Sequence, residues 1–229
     1  MNAPLESLYP ELRARPPITD EALLHSLESK ASDSVQTKAL FFSNQGSELV
    51  SMARSLAASF RDGGRLFTMG NGGSATDAGH VAVEFNHPVT AGRPALPAIH
   101  LGSDVAFLTA LANDVGFEHA FARQLMALGR SGDAVLGLST SGNSKNLLRS
   151  FSAGKQRGLR TMALTGGDGG QMKTSPDVDH CIVVDSSSIH RIQECHVAAY
   201  HILWDLVHTL LAQDRGRFTA GAGAGKTER

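Results

Sequence analysis

The stretch Arg65-Leu-Phe-Thr-Met-Gly-Asn-Gly-Gly-Ser74 decides the fold of this 229-residue chain. It is an apolar run of strand length that leads directly into glycines, and a helical pattern follows it. The same succession of apolar run, glycine- or serine-rich turn and helical pattern recurs several times, as is typical of βαβ units around a parallel sheet. The sequence therefore predicts an α/β, flavodoxin-like three-layer sandwich whose five-stranded, mainly parallel sheet is flanked by helices.

The periodicity also places the individual elements. We predict strands at about 65–69, 97–101, 134–139, 161–165 and 180–184. We predict helices at about 74–86, 103–112, 117–128, 143–157 and 189–213. Before the sheet, Thr19-Asp20-Glu21 is typical of a helix start, and residues 34–61 form a long amphipathic helix. The inward-facing positions of that helix are expected to be Leu40, Leu49, Met52, Leu56 and Phe60.

These patterns divide the chain into an N-terminal arm and helix (1–37), one α/β domain (38–214) and a flexible C-terminal tail (215–229). The tail contains Gly221-Ala-Gly-Ala-Gly-Lys-Thr227, which imitates a phosphate loop. Ala220 stands where that motif needs its first glycine, and neither a strand before it nor a helix after it is predicted. We therefore expect no nucleotide cofactor.

Composition narrows the function classes. Lys plus Arg (21) nearly equals Asp plus Glu (22), so no global charge attracts nucleic acid or an anionic membrane. No apolar run approaches the roughly 20 residues of a membrane-spanning helix. Two cysteines are too few for a disulfide framework, and the first residues lack a signal-peptide pattern. These features predict a cytoplasmic protein with no nucleic-acid and no membrane partner.

Two predicted strand ends carry turns suited to a phosphate. Gly70-Asn-Gly-Gly-Ser74 lets backbone N–H groups approach an anion at the start of a helix. Ser139-Thr-Ser-Gly-Asn-Ser144 adds four hydroxyls that can surround a phosphate without a lysine. Each turn alone could be only a set of helix caps and turn formers. Both lie at carboxyl ends of strands, where α/β folds bind ligands, which favours a phosphate monoester site.

Two helices carry residues able to move protons or hold a metal. His80 and Glu84 lie four residues apart on one helix face, and Gln193 and His201 lie on one face of the last helix. Glu84 and His201 suit the proton transfers of a sugar isomerisation. His80, Glu84, Gln193 and His201 equally suit a divalent metal, with zinc favoured. The residues alone leave both interpretations open, while Cys195 and His196 are expected to be structural.

Several motifs in one order give the chain a resemblance to phosphoheptose isomerases of the sugar-isomerase (SIS) fold, over about residues 38–212. The motifs are Gly70-Asn-Gly-Gly-Ser74, His80 with Glu84, Asn113-Asp114, Ser139-Thr-Ser-Gly-Asn-Ser144, Leu164-Thr-Gly-Gly-Asp-Gly-Gly170, and Arg191-Ile-Gln-Glu194 with His201. This resemblance implies a homotetramer with active sites between subunits. It also implies conversion of sedoheptulose 7-phosphate to D-glycero-D-manno-heptose 7-phosphate through an enediol.

The same resemblance implies roles for single residues. Glu84 and His201 would transfer protons, and one zinc per subunit would bind His80, Glu84, Gln193 and His201. The substrate-binding set would be Asn71, Gly72, Gly73, Ser74, Glu84, Asn113, Asp114, Ser139, Thr140, Ser141, Ser144 and Gln193. Within that set, the hydroxyl side chains of the 139–144 turn would hold the phosphate.

The chain also departs from the family pattern. The segment Phe85-Asn-His-Pro-Val-Thr90 differs from the usual loop, and His190 stands where aspartate is common. Two alternatives follow: an isomerase of a different phosphosugar, or a non-catalytic SIS-domain regulator of replication initiation. The regulator lacks the acid and histidine pair, whereas Glu84 and His201 are both present here, which favours an enzyme.

Overall fold

The computed structural model describes residues 18–222, the side chains of 213–222 excepted. The chain forms two compact units: an N-terminal one, described from residue 18 to Gln36, and a larger one from Thr37 onward. Residues 1–17 of the predicted arm and helix, and the part of the phosphate-loop imitation beyond Ala222, lie outside the described residues. The division of the chain at residues 37 and 214 stays a prediction.

Helices and strands alternate along the chain after a long first helix. The helices are α1 (Asp20–Arg61), α2 (Gly73–Asn86), α3 (Val105–Asp114), α4 (Ala122–Leu128), α5 (Lys145–Gln156), α6 (Gly170–Thr174) and α7 (Ile189–Ala222). The strands are β1 (Leu66–Gly70), β2 (Ala98–His100), β3 (Ala134–Ser139), β4 (Arg160–Gly166) and β5 (His180–Val184). A short 3-10 helix, Phe117–His119, precedes α4.

The five strands form one sheet in the order β2-β1-β3-β4-β5, and every neighbouring pair is parallel. The strand order reverses direction between β1 and β3, whose ends are in register at Gly70 and Leu138. In open α/β sheets a crevice forms at such a reversal, outside the carboxyl ends of the two strands. The turns that follow β1 and β3 are the two turns predicted to bind phosphate.

The sheet is buried on both faces because its strand side chains alternate between two apolar clusters. One cluster joins α1, α2 and α7 to strand residues such as Leu66, Leu136 and Leu164. The other joins α3, α4 and α5 to residues such as Phe67 and Val135. The α/β three-layer prediction is therefore confirmed, and α2 and α7 share one face of the sheet.

The predicted strands match the observed ones to within one residue at each end. The helices differ more. The predicted 117–128 helix is split, because its first residues bond as a 3-10 turn (Ala120 N to Phe117 O). The last helix runs to Ala222 rather than about residue 213, because its hydrogen-bonded backbone continues past Gly216. The short helix α6 was not predicted.

The first helix also corrects one expectation. A single helix runs from Asp20 to Arg61, and Leu49, Met52 and Leu56 are buried in it as predicted. Leu40 was expected to face inward but is 65% exposed. The inward position is taken by its neighbour Phe41, since adjacent helical residues point in different directions.

Among residues 18–222, no helix has both the length and the apolar character needed to span a lipid bilayer.

Candidate active site

The serine-rich turn after β3 keeps its hydroxyls close together. Ser139 Oγ lies 3.1 Å from Ser144 Oγ and accepts a hydrogen bond from the Gly142 N–H at 3.2 Å. Ser144 is the N-cap of α5, yet its hydroxyl makes no capping hydrogen bond. The alternative interpretation, in which the residues of this turn serve only as helix caps, is therefore wrong for the Ser144 hydroxyl, which faces Ser139 instead.

Gly142 gives this turn its shape. Its φ of +64° lies in the left-handed region that favours glycine. A Cβ built on it would lie 2.0 Å from the carbonyl oxygen of Gly169 in the loop after β4. The serine-rich turn can therefore pack against that loop only with glycine at this position.

Two amide side chains tie the turn after β1 to the first turn of α5, which directly follows the serine-rich turn. Asn71 Nδ2 donates to Asn146 Oδ1 at 3.0 Å, and Asn146 Nδ2 donates to Asn71 Oδ1 at 2.8 Å. We call these two residues the amide pair. The side chain of Asn71, predicted to contact the sugar, is thus engaged with α5. The amide pair fixes the two turns side by side.

One face of α2 presents the titratable residues. His80 Nε2 lies 3.1 Å from Glu84 Oε1, as the spacing of four residues predicts. His201 on α7 joins them, and one ligand atom from each of these three residues lies within 4.8 Å of the other two. We call His80, Glu84 and His201 the histidine–glutamate cluster. The helices α2 and α7 therefore bring together the predicted proton-transfer pair and three of the four predicted metal ligands.

Gln193, the fourth predicted metal ligand, lies at the start of α2. A Cβ built on Gly73 would come 2.3 Å from Gln193 Nε2. Glycine at position 73 therefore makes room for the amide of Gln193 beside the first turn of α2. This contact places a polar side chain of α7 next to the turn that follows β1.

Asn113 and Asp114 lie apart from the histidine–glutamate cluster within one chain. They end α3, are exposed, and are joined by a 2.8 Å hydrogen bond from Asn113 Nδ2 to Asp114 Oδ1. Helix α3 packs on the opposite face of the sheet from α2 and α7. A role for these two residues in sugar binding stays a prediction, and within this chain the structure does not bring them to the cluster.

Cys195 and His196 point into the core, in line with a structural role. Both are fully buried. His196 Nε2–H donates to the Thr165 carbonyl oxygen at 3.0 Å, and burial lowers the pKa of this histidine to about 4. Burial raises the pKa of the Cys195 thiol. A neutral imidazole and a protonated thiol suit packing rather than chemistry.

Three neighbours of the histidine–glutamate cluster were not predicted from the sequence. The Tyr200 hydroxyl lies 2.9 Å from His80 Nδ1, and Trp204 Nε1 donates to the Glu84 carbonyl oxygen at 2.8 Å. Asp77 lies on the same face of α2, and burial raises the pKa of its carboxyl while the nearby His80 opposes the rise. The spacing of Asp77, His80 and Glu84 could have revealed Asp77, but no local pattern pairs Tyr200 or Trp204 with α2.

The two departures from the family pattern lie at the ends of these helices. His190 is exposed in the first turn of α7. Phe85 is buried at the end of α2, and the segment from His87 onward leaves the helix there. Farther along that segment, Arg93 pairs with the Asp205 carboxylate and lies over the Trp204 ring, so α7 holds the loop that follows Glu84.

Comparisons with known proteins identify the family of the chain. A family model described as the SIS domain matches residues 32–166, more than half of the chain. A phosphoheptose isomerase of Pelodictyon phaeoclathratiforme is 46% identical over 184 residues, covering 80% of this chain and 87% of that protein.

Solved structures give the same result. A phosphoheptose isomerase from Neisseria gonorrhoeae matches with a TM-score of 0.76 and 33% identity, covering 82% of this chain and 99% of that one. One from Francisella tularensis matches with a TM-score of 0.77 and 32% identity, covering 81% and 98%. The chain therefore belongs to the SIS-domain family and, within it, to the phosphoheptose isomerases, which makes it an enzyme of the isomerase class.

Proposed function

We propose that this enzyme converts sedoheptulose 7-phosphate to D-glycero-D-manno-heptose 7-phosphate, with Glu84 and His201 as the proton-transfer pair. The observation that carries the proposal is the placement of Glu84 and His201, from two helices, in one cluster. A carboxylate and an imidazole within reach of one substrate are the groups that an aldose–ketose isomerisation requires. The 46% identity to a phosphoheptose isomerase favours an enzyme over the non-catalytic regulator.

In the proposed reaction, Glu84 and His201 carry out all the proton transfers. Glu84 takes a proton from C1 of the ketose, which gives an enediol, and returns a proton to C2. His201 moves a proton between the oxygens on C1 and C2, so that the carbonyl ends on C1. No electron leaves the substrate, and no redox cofactor or nucleotide is needed.

The serine-rich turn supplies the proposed phosphate site. Ser139, Thr140, Ser141 and Ser144 offer neutral hydroxyl donors, and α5 begins at Lys145, directly after them. The unpaired N–H groups and dipole at a helix start stabilise an anion. A phosphate held there would leave the other end of the sugar to the turn after β1, beside Gln193, and to the histidine–glutamate cluster.

The cluster also fits one zinc ion per subunit. Two imidazoles and a carboxylate form a donor set that zinc favours, and their ligand atoms lie close enough for a shared ion. We propose His80, Glu84 and His201 as ligands, with Gln193 as a fourth. Bound there, zinc would act as a Lewis acid that polarises the carbonyl and hydroxyl oxygens of the sugar.

We also propose a homotetramer with active sites shared between subunits. Asn113 and Asp114 lie on the other face of the sheet from the cluster, so they can complete a site only in a second subunit. Val105, Val115, Phe117 and Met126 expose apolar surface around α3 and α4 that such a subunit could cover. We propose a cytoplasmic location, since Cys181 and Cys195 are free thiols and the substrate is a metabolic phosphate ester.

The decisive test is a panel of ketoses incubated with the purified enzyme, with aldose formation followed by NMR. The panel contains sedoheptulose 7-phosphate, fructose 6-phosphate, ribulose 5-phosphate and unphosphorylated sedoheptulose. We expect conversion of the heptulose phosphate and little of the others. Preferred conversion of a shorter phosphosugar would establish the alternative substrate, and no aldose from any ketose would refute the isomerase proposal.

A further inference from the structure

The imidazole of His80 is held at both of its nitrogen atoms. Nε2 faces the Glu84 carboxylate at 3.1 Å, and Nδ1 faces the Tyr200 hydroxyl at 2.9 Å. His80 itself is partly exposed, whereas Tyr200 is only 2% exposed. A surface histidine is thus anchored from beneath by a buried hydroxyl on α7.

A hydroxyl is a special partner for an imidazole because it both donates and accepts. When Nε2 carries the proton and donates to Glu84, the Tyr200 hydroxyl donates to Nδ1. When Nε2 uses its lone pair for a metal, Nδ1 carries the proton and donates to the same hydroxyl oxygen. The ring can therefore change tautomer without rotating.

Asp77 lies on the same face of α2 as His80, one helical turn before it, and its Oδ2 is buried with no hydrogen-bond partner among the described residues. The Tyr200 hydroxyl lies 2.9 Å from His80 Nδ1, so its hydrogen-bond partner in this structure is His80.

We propose that Tyr200 is a positioning residue for His80, whose hydrogen bond to Nδ1 aims Nε2 into the cluster and thereby sets its affinity for zinc. The inference rests on the zinc site of the proposed function. Metal-ligating histidines commonly use their second nitrogen in such a bond, and loss of that partner typically weakens metal binding by about 10–100-fold.

The competing explanation is that Tyr200 only fills space. Its ring meets that of His80 edge to face, with centroids 5.4 Å apart, and packs near His201. A phenylalanine would keep these ring contacts and lose only the hydroxyl. Tyr200→Phe therefore separates the hydrogen bond from the packing.

The experiment compares zinc affinity in three proteins stripped of metal: wild type, Tyr200→Phe and the control Thr68→Val. Affinity is measured by competition with a chromophoric chelator, and cobalt substitution reports the ligand geometry through its visible spectrum. Thr68 is a fair control because its buried hydroxyl donates to the Ala78 carbonyl oxygen at 2.7 Å. It thus binds the same helix α2 without contacting His80.

We expect zinc affinity to fall about 10–100-fold in Tyr200→Phe and to stay at the wild-type value in Thr68→Val. The cobalt spectrum should change only in Tyr200→Phe. Equal affinity in Tyr200→Phe and wild type, or an equal loss in both variants, overturns the role of Tyr200 while leaving the zinc site intact. A wild-type protein that takes up no zinc overturns the zinc site as well, and the ketose panel still reports the isomerase activity separately.

A second measurement needs no variant of Tyr200. The ¹⁵N shifts of the His80 imidazole in the metal-free wild-type protein report its tautomer, with His80→Ala identifying the signals. We expect one dominant tautomer with the proton on Nε2, because Glu84 accepts from that nitrogen. An equal mixture of tautomers, as in a freely rotating ring, overturns the proposal even if Tyr200→Phe fails to fold.

Discussion

The serine-rich turn and the histidine–glutamate cluster are built in opposite ways. The hydrogen bonds within residues 139–144 join residues at most five apart, and its side chains are uncharged. The cluster joins α2 and α7, which are distant in the sequence: Tyr200 on α7 and His80 on α2 are 120 residues apart. All three side chains of the cluster are titratable. A binding turn can therefore be predicted from one short segment of sequence, whereas the titratable groups of the cluster come together only when α7 packs on α2.

Proton transfer is proposed for the cluster alone, and Glu84→Gln tests this proposal with the largest expected effect. The amide keeps the size of the side chain but cannot take a proton, so we expect kcat to fall by about a thousandfold, within the range of general acid–base catalysis. Binding of sedoheptulose 7-phosphate, measured by calorimetry, should change little. Wild-type turnover in this variant would refute the assignment.

The contact between Gly73 and Gln193 joins α2 and α7, the two helices that carry the cluster, and Gly73→Ala perturbs it. The new methyl group would displace the Gln193 amide, which lies 2.3 Å from the position of that Cβ. We expect kcat/KM to fall about tenfold, a loss of about 1.4 kcal/mol in transition-state stabilisation. Gly46→Ala is the matched control, since a Cβ at that helical glycine meets nothing within 4 Å. A fall of the same size in both variants would point to a general effect of alanine.

Ser141→Ala tests the proposal that the serine-rich turn binds the phosphate. Loss of one hydrogen bond to a charged phosphate costs about 1.5–3 kcal/mol, so KM should rise by roughly tenfold or more while kcat stays near the wild-type value. Ser150→Ala is the control, because its buried hydroxyl donates to the Asn146 carbonyl oxygen at 2.6 Å inside α5. Steady-state kinetics on both variants decide the matter, and a lower kcat with unchanged KM in Ser141→Ala would contradict the division of labour.

His196 gives the smallest predicted effect, on stability rather than activity. Its pKa of about 4 lies below the ordinary value of 6.5, so between these values the unfolded chain binds a proton that the folded protein does not. Stability from this residue is complete above about pH 6.5 and is lost as the pH falls toward 4.

The free energy of unfolding, measured by urea denaturation across this pH range, should therefore fall with acidification. In His196→Gln the free energy of unfolding should depend less steeply on pH, by up to the slope that one bound proton contributes. Glutamine can still donate to the Thr165 carbonyl oxygen but does not titrate. Identical pH slopes in the two proteins would show that His196 is not the group responsible.

Local patterns predicted most of the fold and part of the site. The five strands were correct because apolar runs between glycine-rich turns are short and sharply bounded. Leu40 was placed wrongly, since residues 40–42 of α1 offer three adjacent apolar side chains and only packing selects Phe41. The pairing of His80 with Glu84 followed from helical spacing, but the approach of His201 required the packing of α7 on α2.

Tyr200 and Asn146 could not be predicted because their roles depend on partners far along the chain. Tyr200 fits the ordinary apolar periodicity of a helix, and a role for its hydroxyl is indicated only by its contact with His80. Asn146 resembles any polar residue in the first turn of a helix until Asn71 is brought to it by the parallel pairing of β1 with β3. Sequence spacing reports neighbours on one element, and these contacts cross between elements.

The amide pair has an evolutionary consequence. Each asparagine supplies one donor and one acceptor to the other, so replacement of either by aspartate would set two oxygen atoms against each other in one of the two bonds. A change at position 71 is therefore tolerated best with a compensating change at position 146. Among homologues these two positions should covary, although 75 residues separate them.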